Sequence, residues 1–256
     1  LDGNARAYLS DSFKPVDNFL ILSSFFPVLQ DYGTDIEIKT IAMTDNRLYL
    51  QIIFKKFEGE VKKGDVVQLA ITLINSEIGL SYAEILSSIW RCWCSNGAIS
   101  ESIFKKRHAG RKVGDLEEDY NIFRSDTIKA ELESYRLRIR DLLANALTEK
   151  AFTEQLEKLK RAESDKIEPA KVNQVIENVT RRFQIPQQFN EQILGNMVEE
   201  GNISRYGILN GITALAKQLD SPDAAFEVEK VGGKIIELTQ AEWKVLQEEQ
   251  PKSKVA

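Results

Sequence analysis

Between Thr34 and Phe54, apolar and polar side chains alternate with a period of two, interrupted once at Thr44-Asp45-Asn46-Arg47. No other feature limits the fold as sharply. A strand sends successive side chains to opposite faces, so this alternation commits the chain to a sheet. Ile36, Ile38 and Thr40 fall on one face, and Glu37, Lys39 and Ile41 on the other. Leu48, Leu50, Ile52 and Phe54 resume the pattern after the turn, which predicts a β-hairpin with a short loop. A second turn region, Glu58–Asp65, leads to Val66–Ile74, which is apolar nearly throughout and predicts a buried third strand.

Helical signals surround these strands. Pro15 and Asp17 mark a helix start within Phe13–Tyr32, and Pro27 is expected to end or kink that helix. Glu84–Cys94 fits two patterns: Ile85, Ile89 and Trp93 suit a helix, whereas Trp90, Cys92 and Cys94 suit a strand. The expectation is a helix, or a helix passing into a strand, stopped by the turn Ser95-Asn96-Gly97. Over Asp115–Lys150, Ile128, Leu132, Tyr135, Ile139, Leu142 and Ala146 recur at spacings of three and four, which predicts a long amphipathic helix. Shorter helices are expected over residues 149–163, 169–183, 186–200 and 204–218, set off by Pro169 and Pro186. Ala225–Gly232 is expected to begin as helix, Lys234–Leu238 to form a short strand or a helix lead-in, and Ala241–Glu249 to form a terminal helix.

These elements predict an α+β fold. A small antiparallel sheet (helix, β-hairpin, third strand) is covered by a long helix, and a helical C-terminal half follows. The expected organisation is a core domain over residues 1–150 and a helical region over 151–256, within the same domain or beside it.

Composition narrows the function classes. At 43% apolar residues the chain can bury a proper core. A net charge of −5 argues against a protein coated by nucleic acid over its whole surface, but a local basic patch can outweigh it. No apolar run approaches the ~20 residues of a membrane span. The start at Leu1, without Met or a signal-peptide pattern, reads as a mature or trimmed chain. Cys92 and Cys94 stand one residue apart, too close for an unstrained disulfide, and read as reduced and intracellular.

The clearest candidate site is basic. Lys105, Lys106, Arg107, His108, Arg111 and Lys112 fall in a Gly-containing stretch, FKKRHAGRKVG, read as a loop. Its fixed positive charges suit phosphates, and Gly110 and Gly114 allow the backbone a close approach. Lys55, Lys56, Lys62 and Lys63 around the preceding turn are candidates to extend the patch. The plain alternative is a solvated loop whose charges serve solubility. His108 is the sole histidine, so with Cys92 and Cys94 it makes no zinc site, and no nucleophile motif accompanies it. Trp90 and Trp93 suit either the core or base stacking, with core the expected use of at least one. Arg91 between them reads as a buried ion-pair partner in preference to a phosphate ligand. Asn75-Ser76-Glu77-Ile78-Gly79 reads as a strand-ending turn. Glu77 alone is a poor basis for metal or acid/base chemistry, since two-metal catalysis needs clustered carboxylates. No metal, cofactor or catalytic group is expected.

Several of these segments carry a resemblance. Ala5-Arg6-Ala7-Tyr8-Leu9-Ser10-Asp11, Pro15-Val16-Asp17-Asn18, Gly64-Asp65 and Asn75–Gly79 appear in order, followed by Arg91-x-x-Cys94-Ser95-Asn96-Gly97, His108-Ala109-Gly110 and Gly207-Ile208-Leu209-Asn210-Gly211-Ile212-Thr213. Together they resemble the phage/plasmid-like family called domain of unknown function 932. The resemblance implies a setting among mobile-element replication and recombination genes, and hence a cytoplasmic role on nucleic acid. The element order also looks like the core of single-strand annealing proteins of the Rad-fifty-two and phage recombinase type, which is analogy alone. The function expected is single-stranded DNA binding that promotes annealing and recombination without catalysis, by a homo-oligomer in a ring or filament, with no membrane partner. The alternative from another class is a protein-interaction or host-defence-inhibiting scaffold that binds no nucleic acid.

Overall fold

The structure, a computed structural model, describes residues 7–8, 16–92, 96–106 and 125–248. Five strands, β1 (Ile36–Met43), β2 (Leu48–Glu60), β3 (Val66–Asn75), β4 (Ala83–Arg91) and β5 (Asn96–Lys106), form one sheet in sequence order. The hairpin of β1 and β2 runs from Ile36 opposite Phe54 to Met43 opposite Leu48, with an irregularity between Ile38 and Thr40. The expected α+β class holds, and the antiparallel sheet is larger than the sequence suggested.

Two expectations are corrected here. Glu84–Arg91 is not helical: β4 occupies Ala83–Arg91, and Trp93 and Cys94 of the expected element lie outside the described residues. That strand is buried along most of its length, so its sequence lacks the polar face that gives a half-buried strand its alternation. The turn expected at Ser95-Asn96-Gly97 gives way to β5 from Asn96 onward, and β5 carries Lys105 and Lys106 as strand residues at its end, not as loop.

Helix α1 (Asn18–Gln30) starts where Asp17, in an extended conformation, accepts a hydrogen bond from the Phe19 amide at 2.6 Å. It runs through Pro27 to Gln30 and so does not end at the proline. The long amphipathic helix is α2 (Ser125–Ala146), and Asp115–Arg124 lies outside the described residues. Then come α3 (Glu149–Ser164), α4 (Val172–Arg182), α5 (Asn190–Glu199), α6 (Arg205–Leu215), α7 (Pro222–Ile236) and α8 (Gln240–Glu248). Lys234–Ile236 belongs to α7, which is one continuous helix and not a helix followed by a strand.

The chain divides into two compact units. The first comprises Leu1–Lys56, Ala70–Ser87 and Ser102–Thr148, and the second Phe57–Leu69, Ser88–Glu101 and Glu149–Ala256. In the first, α1 packs against α2, and Ile21, Phe25, Leu50, Ile52, Ile71 and Leu143 are buried. In the second, α6 is the central helix, packed by α3, α5 and α7 and buried over Arg205–Thr213. Gly207 permits this packing: a Cβ there would stand 1.8 Å from the Asn202 carbonyl oxygen.

Candidate nucleic-acid interface

Two turns of the first unit are built from side chain to backbone bonds. In the β1–β2 turn, the Thr44 hydroxyl accepts from the amides of Asn46 and Arg47 at 3.2 and 3.0 Å. In the β3–β4 turn, Gly79 takes a positive φ of 76°, and its amide donates to the Ser76 carbonyl at 3.1 Å. The Ser76 hydroxyl accepts from the Leu80 amide at 3.1 Å and donates to the Asn46 carbonyl at 2.7 Å, so one serine ties both turns together. Asn75 donates to the Val16 carbonyl at 2.7 Å and to Asn18 at 2.8 Å, and the Glu77 carboxylate accepts from the Asn18 amide at 3.0 Å. The Asn75–Gly79 motif is therefore a rivet for the turns, and Glu77 caps the start of α1.

Around that rivet the fold gathers side chains that suit nucleic acid. In an antiparallel meander the β1–β2 turn, the β3–β4 turn and the end of β5 share one end of the strands. Arg47 reaches across to donate to the Leu80 carbonyl at 3.3 Å. Leu80 itself is 54% exposed. Lys105 lies at 4.1 Å from the centroid of the half-buried Tyr82 ring, and 2.8 Å from Glu84. The cluster thus holds two cations, an aromatic ring and an exposed aliphatic side chain, with one carboxylate balancing Lys105.

The other expected basic residues are spread out. Lys106 follows Lys105 at the end of β5. Arg107, His108, Arg111 and Lys112 lie outside the described residues. Lys55 pairs with Glu37 at 3.3 Å, and Lys39 shares that carboxylate. These two lysines hold the Glu37 carboxyl below the usual carboxylate range. Lys56 is exposed on β2. Lys62 and Lys63 follow the end of β2 opposite to Arg47, where Lys62 donates to the Glu200 carbonyl at 3.4 Å. Arg47, Leu80, Tyr82 and Glu84 do not stand out in the sequence. The signal that would have found them is a strand following the Asn75–Gly79 turn, where the sequence reads as helix.

The second unit holds a buried ionic cluster. Arg91 donates from Nε and Nη2 to the two Asp65 carboxylate oxygens at 2.7 and 2.8 Å, and from Nη1 to Glu200 at 2.7 Å. Its guanidinium lies 5.6 Å from the Tyr206 ring centroid. Burial, with the Asp65 charge second, pushes the Tyr206 hydroxyl well above the ordinary tyrosine range. The adjoining cavity, lined in part by Arg91, Tyr206, Asn210 and Thr213, measures about 10 Å³. That is space for about one water and none for a substrate. Trp90, at 8% exposure, is a core residue, while Trp93 and Cys94 lie outside the described residues.

A larger cleft of about 530 Å³ runs beside Lys166, Lys171, Trp243 and Lys244. Each of these lysines has a carboxylate partner three or four residues away: Glu163, Glu168 and Glu248. Its charge is therefore balanced locally. Among the described residues, no three His, Cys, Asp or Glu side chains are grouped to hold a metal ion, and no helix is long and apolar enough to cross a membrane.

The chain belongs to the family described as Domain of unknown function (DUF932), whose profile matches residues 7–232. No curated protein and no solved structure matches the chain. The likeness in element order to single-strand annealing proteins therefore finds no support in these comparisons. Family-like segments from the sequence fall into both units. Asn75–Gly79 makes the turn rivet of the first, while Asp65, Arg91 and Gly207–Thr213 build the ionic cluster and central helix of the second.

Proposed function

We propose that the protein binds single-stranded DNA without catalysis, in the cytoplasm, and promotes annealing or recombination of mobile-element DNA. The observation that carries this reading is the cluster at the end of β5. Exposed Lys105 stands beside Tyr82 in the unit that also places Arg47 and Leu80, and the chain continues directly into the cations Lys106, Arg107, Arg111 and Lys112. Phosphates are held by these cations, and the net charge of −5 confines the attraction to this surface. Lys55 and Lys56, in the same unit, are secondary contacts.

Self-association is part of the reading. β1 is an edge strand, and it exposes Ile41 at 63% and Met43 at 71%. An open apolar edge of this kind is a template for pairing with a second copy. The same edge favours the second reading, a protein-binding scaffold that touches no nucleic acid.

Fluorescence anisotropy with labelled single- and double-stranded DNA across a salt series separates the two. The DNA-binding reading expects tighter binding to single strands, steep salt dependence, and loss of binding in Lys105→Ala/Lys106→Ala/Arg107→Ala. No binding at low salt leaves the scaffold reading.

A further inference from the structure

We infer that Tyr82 is the stacking platform for one unstacked nucleobase and that Lys105 takes the adjoining phosphate, so that this pair selects single strands over duplex. The inference rests on the DNA-binding reading and adds to it the residue that reads strandedness.

Binders of single strands combine a cationic track with an aromatic face on which a base stacks. Trp90 cannot serve, because it is buried. Tyr82 is half-buried, sits directly before β4, and has the Lys105 ammonium 4.1 Å from its ring centroid. A ring fixed at the foot of a strand and held by a cation is already oriented, so little ordering cost falls on binding. Lys105 is also ion-paired to Glu84 at 2.8 Å, and its side chain is about half exposed, so a phosphate can take the place of that carboxylate while the ammonium stays by the ring. Leu80, two residues before Tyr82, offers an exposed apolar flank, and Arg47 is anchored on the Leu80 carbonyl. A duplex keeps its base faces stacked on each other and has to unstack before it can use such a ring.

The test compares a labelled thymine oligonucleotide with an abasic oligonucleotide of the same length, which keeps the phosphates and lacks the bases. Wild-type protein is expected to bind the thymine strand ~10-fold more tightly than the abasic one. Tyr82→Ala is expected to abolish that difference while leaving the salt slope unchanged, and Tyr82→Phe to preserve the difference, because the ring is what stacks. Lys105→Ala is expected to lower the salt slope by ~0.7, the value of one phosphate contact on a single strand. Equal wild-type affinity for the two strands overturns the inference, as does a Tyr82→Ala loss of the same size on both, and DNA binding itself then still stands. Failure of the wild-type protein to bind either strand at low salt overturns the DNA-binding reading and this inference together.

Discussion

Arg91 and Asp65 meet fork to fork, Nε to Oδ1 at 2.7 Å and Nη2 to Oδ2 at 2.8 Å, across 26 residues of sequence. Both side chains are buried, and Glu200 takes the remaining Nη1. The arrangement joins the start of β3, the end of β4 and the end of α5 within the second unit. A buried ion pair adds little net stability over a well-packed apolar substitute, but removing one partner strands the other charge.

Arg91→Met is therefore expected to destabilise the protein by ~3–5 kcal/mol, read from urea unfolding followed by tryptophan fluorescence. Arg91→Lys is expected to recover little of this, because an ammonium cannot make the two parallel bonds to Asp65 and reach Glu200 as well. A Lys variant as stable as wild type would show that the fork geometry is unimportant.

Tyr206 makes the protein sensitive to alkali. Burial, followed by the Asp65 charge, raises its pKa above the ordinary 10.0. Above that value the unfolded chain releases the tyrosine proton while the folded chain keeps it. The folded state then binds more protons, and stability falls as pH rises. Burial raises Tyr135 in the same direction. The stability contribution is complete below pH 10.0 and declines above it. Tyr206→Phe is expected to flatten the decline in thermal-melting midpoint between neutral and strongly alkaline pH. A decline as steep as that of wild type would assign the effect to other groups.

Two glycines make an internal comparison. Gly207→Ala places a Cβ 1.8 Å from a backbone oxygen of Asn202, which a rotamer change cannot relieve. The expected cost is ~3 kcal/mol or more, at the upper end of overpacking effects. Gly195 lies inside α5, and a Cβ added there would meet nothing within 4 Å. Gly195→Ala is expected to stabilise by ~0.5–1 kcal/mol through helix propensity alone. Urea midpoints of the two variants, moving in opposite directions from wild type, check both.

The β1–β2 hairpin was legible because β1 is an edge strand with exposed positions and its alternation survives in sequence. β4 was not, because it is buried along most of its length and its polar residues, Glu84, Ser87, Ser88 and Arg91, gather on no single face, which lets Ile85 and Ile89 pass for a helical stripe. α7 reads as broken in sequence because Gly232-Gly233 signals a stop. In the fold the helix runs through them, and Gly232 is a packing glycine, where a side chain would meet Thr213 at 2.4 Å. The use of Arg91 as an ion-pair partner followed from residue type, but its partners, 26 and 109 residues away, did not. For the candidate interface, the cationic run was visible and its setting was not. Tyr82, Glu84 and Lys105 come together only because β4 and β5 are paired neighbours.

Glu84 offers a test of the proposed DNA contact at Lys105. In the free protein its carboxylate holds Lys105 at 2.8 Å, so it competes with any incoming phosphate and also repels it. Glu84→Gln keeps the side-chain shape, removes that competition and leaves the lysine charge uncompensated. If Lys105 contacts the strand, the substitution tightens single-stranded DNA binding at low salt and steepens the salt slope by up to ~0.7. The gain shrinks as salt rises, because the freed charge is exposed and screened. An anisotropy titration at three salt concentrations measures both quantities. Unchanged or weaker binding by a Glu84→Gln protein that melts like wild type would place the phosphates elsewhere, and Lys105 would then be a strand-end cation paired for stability alone.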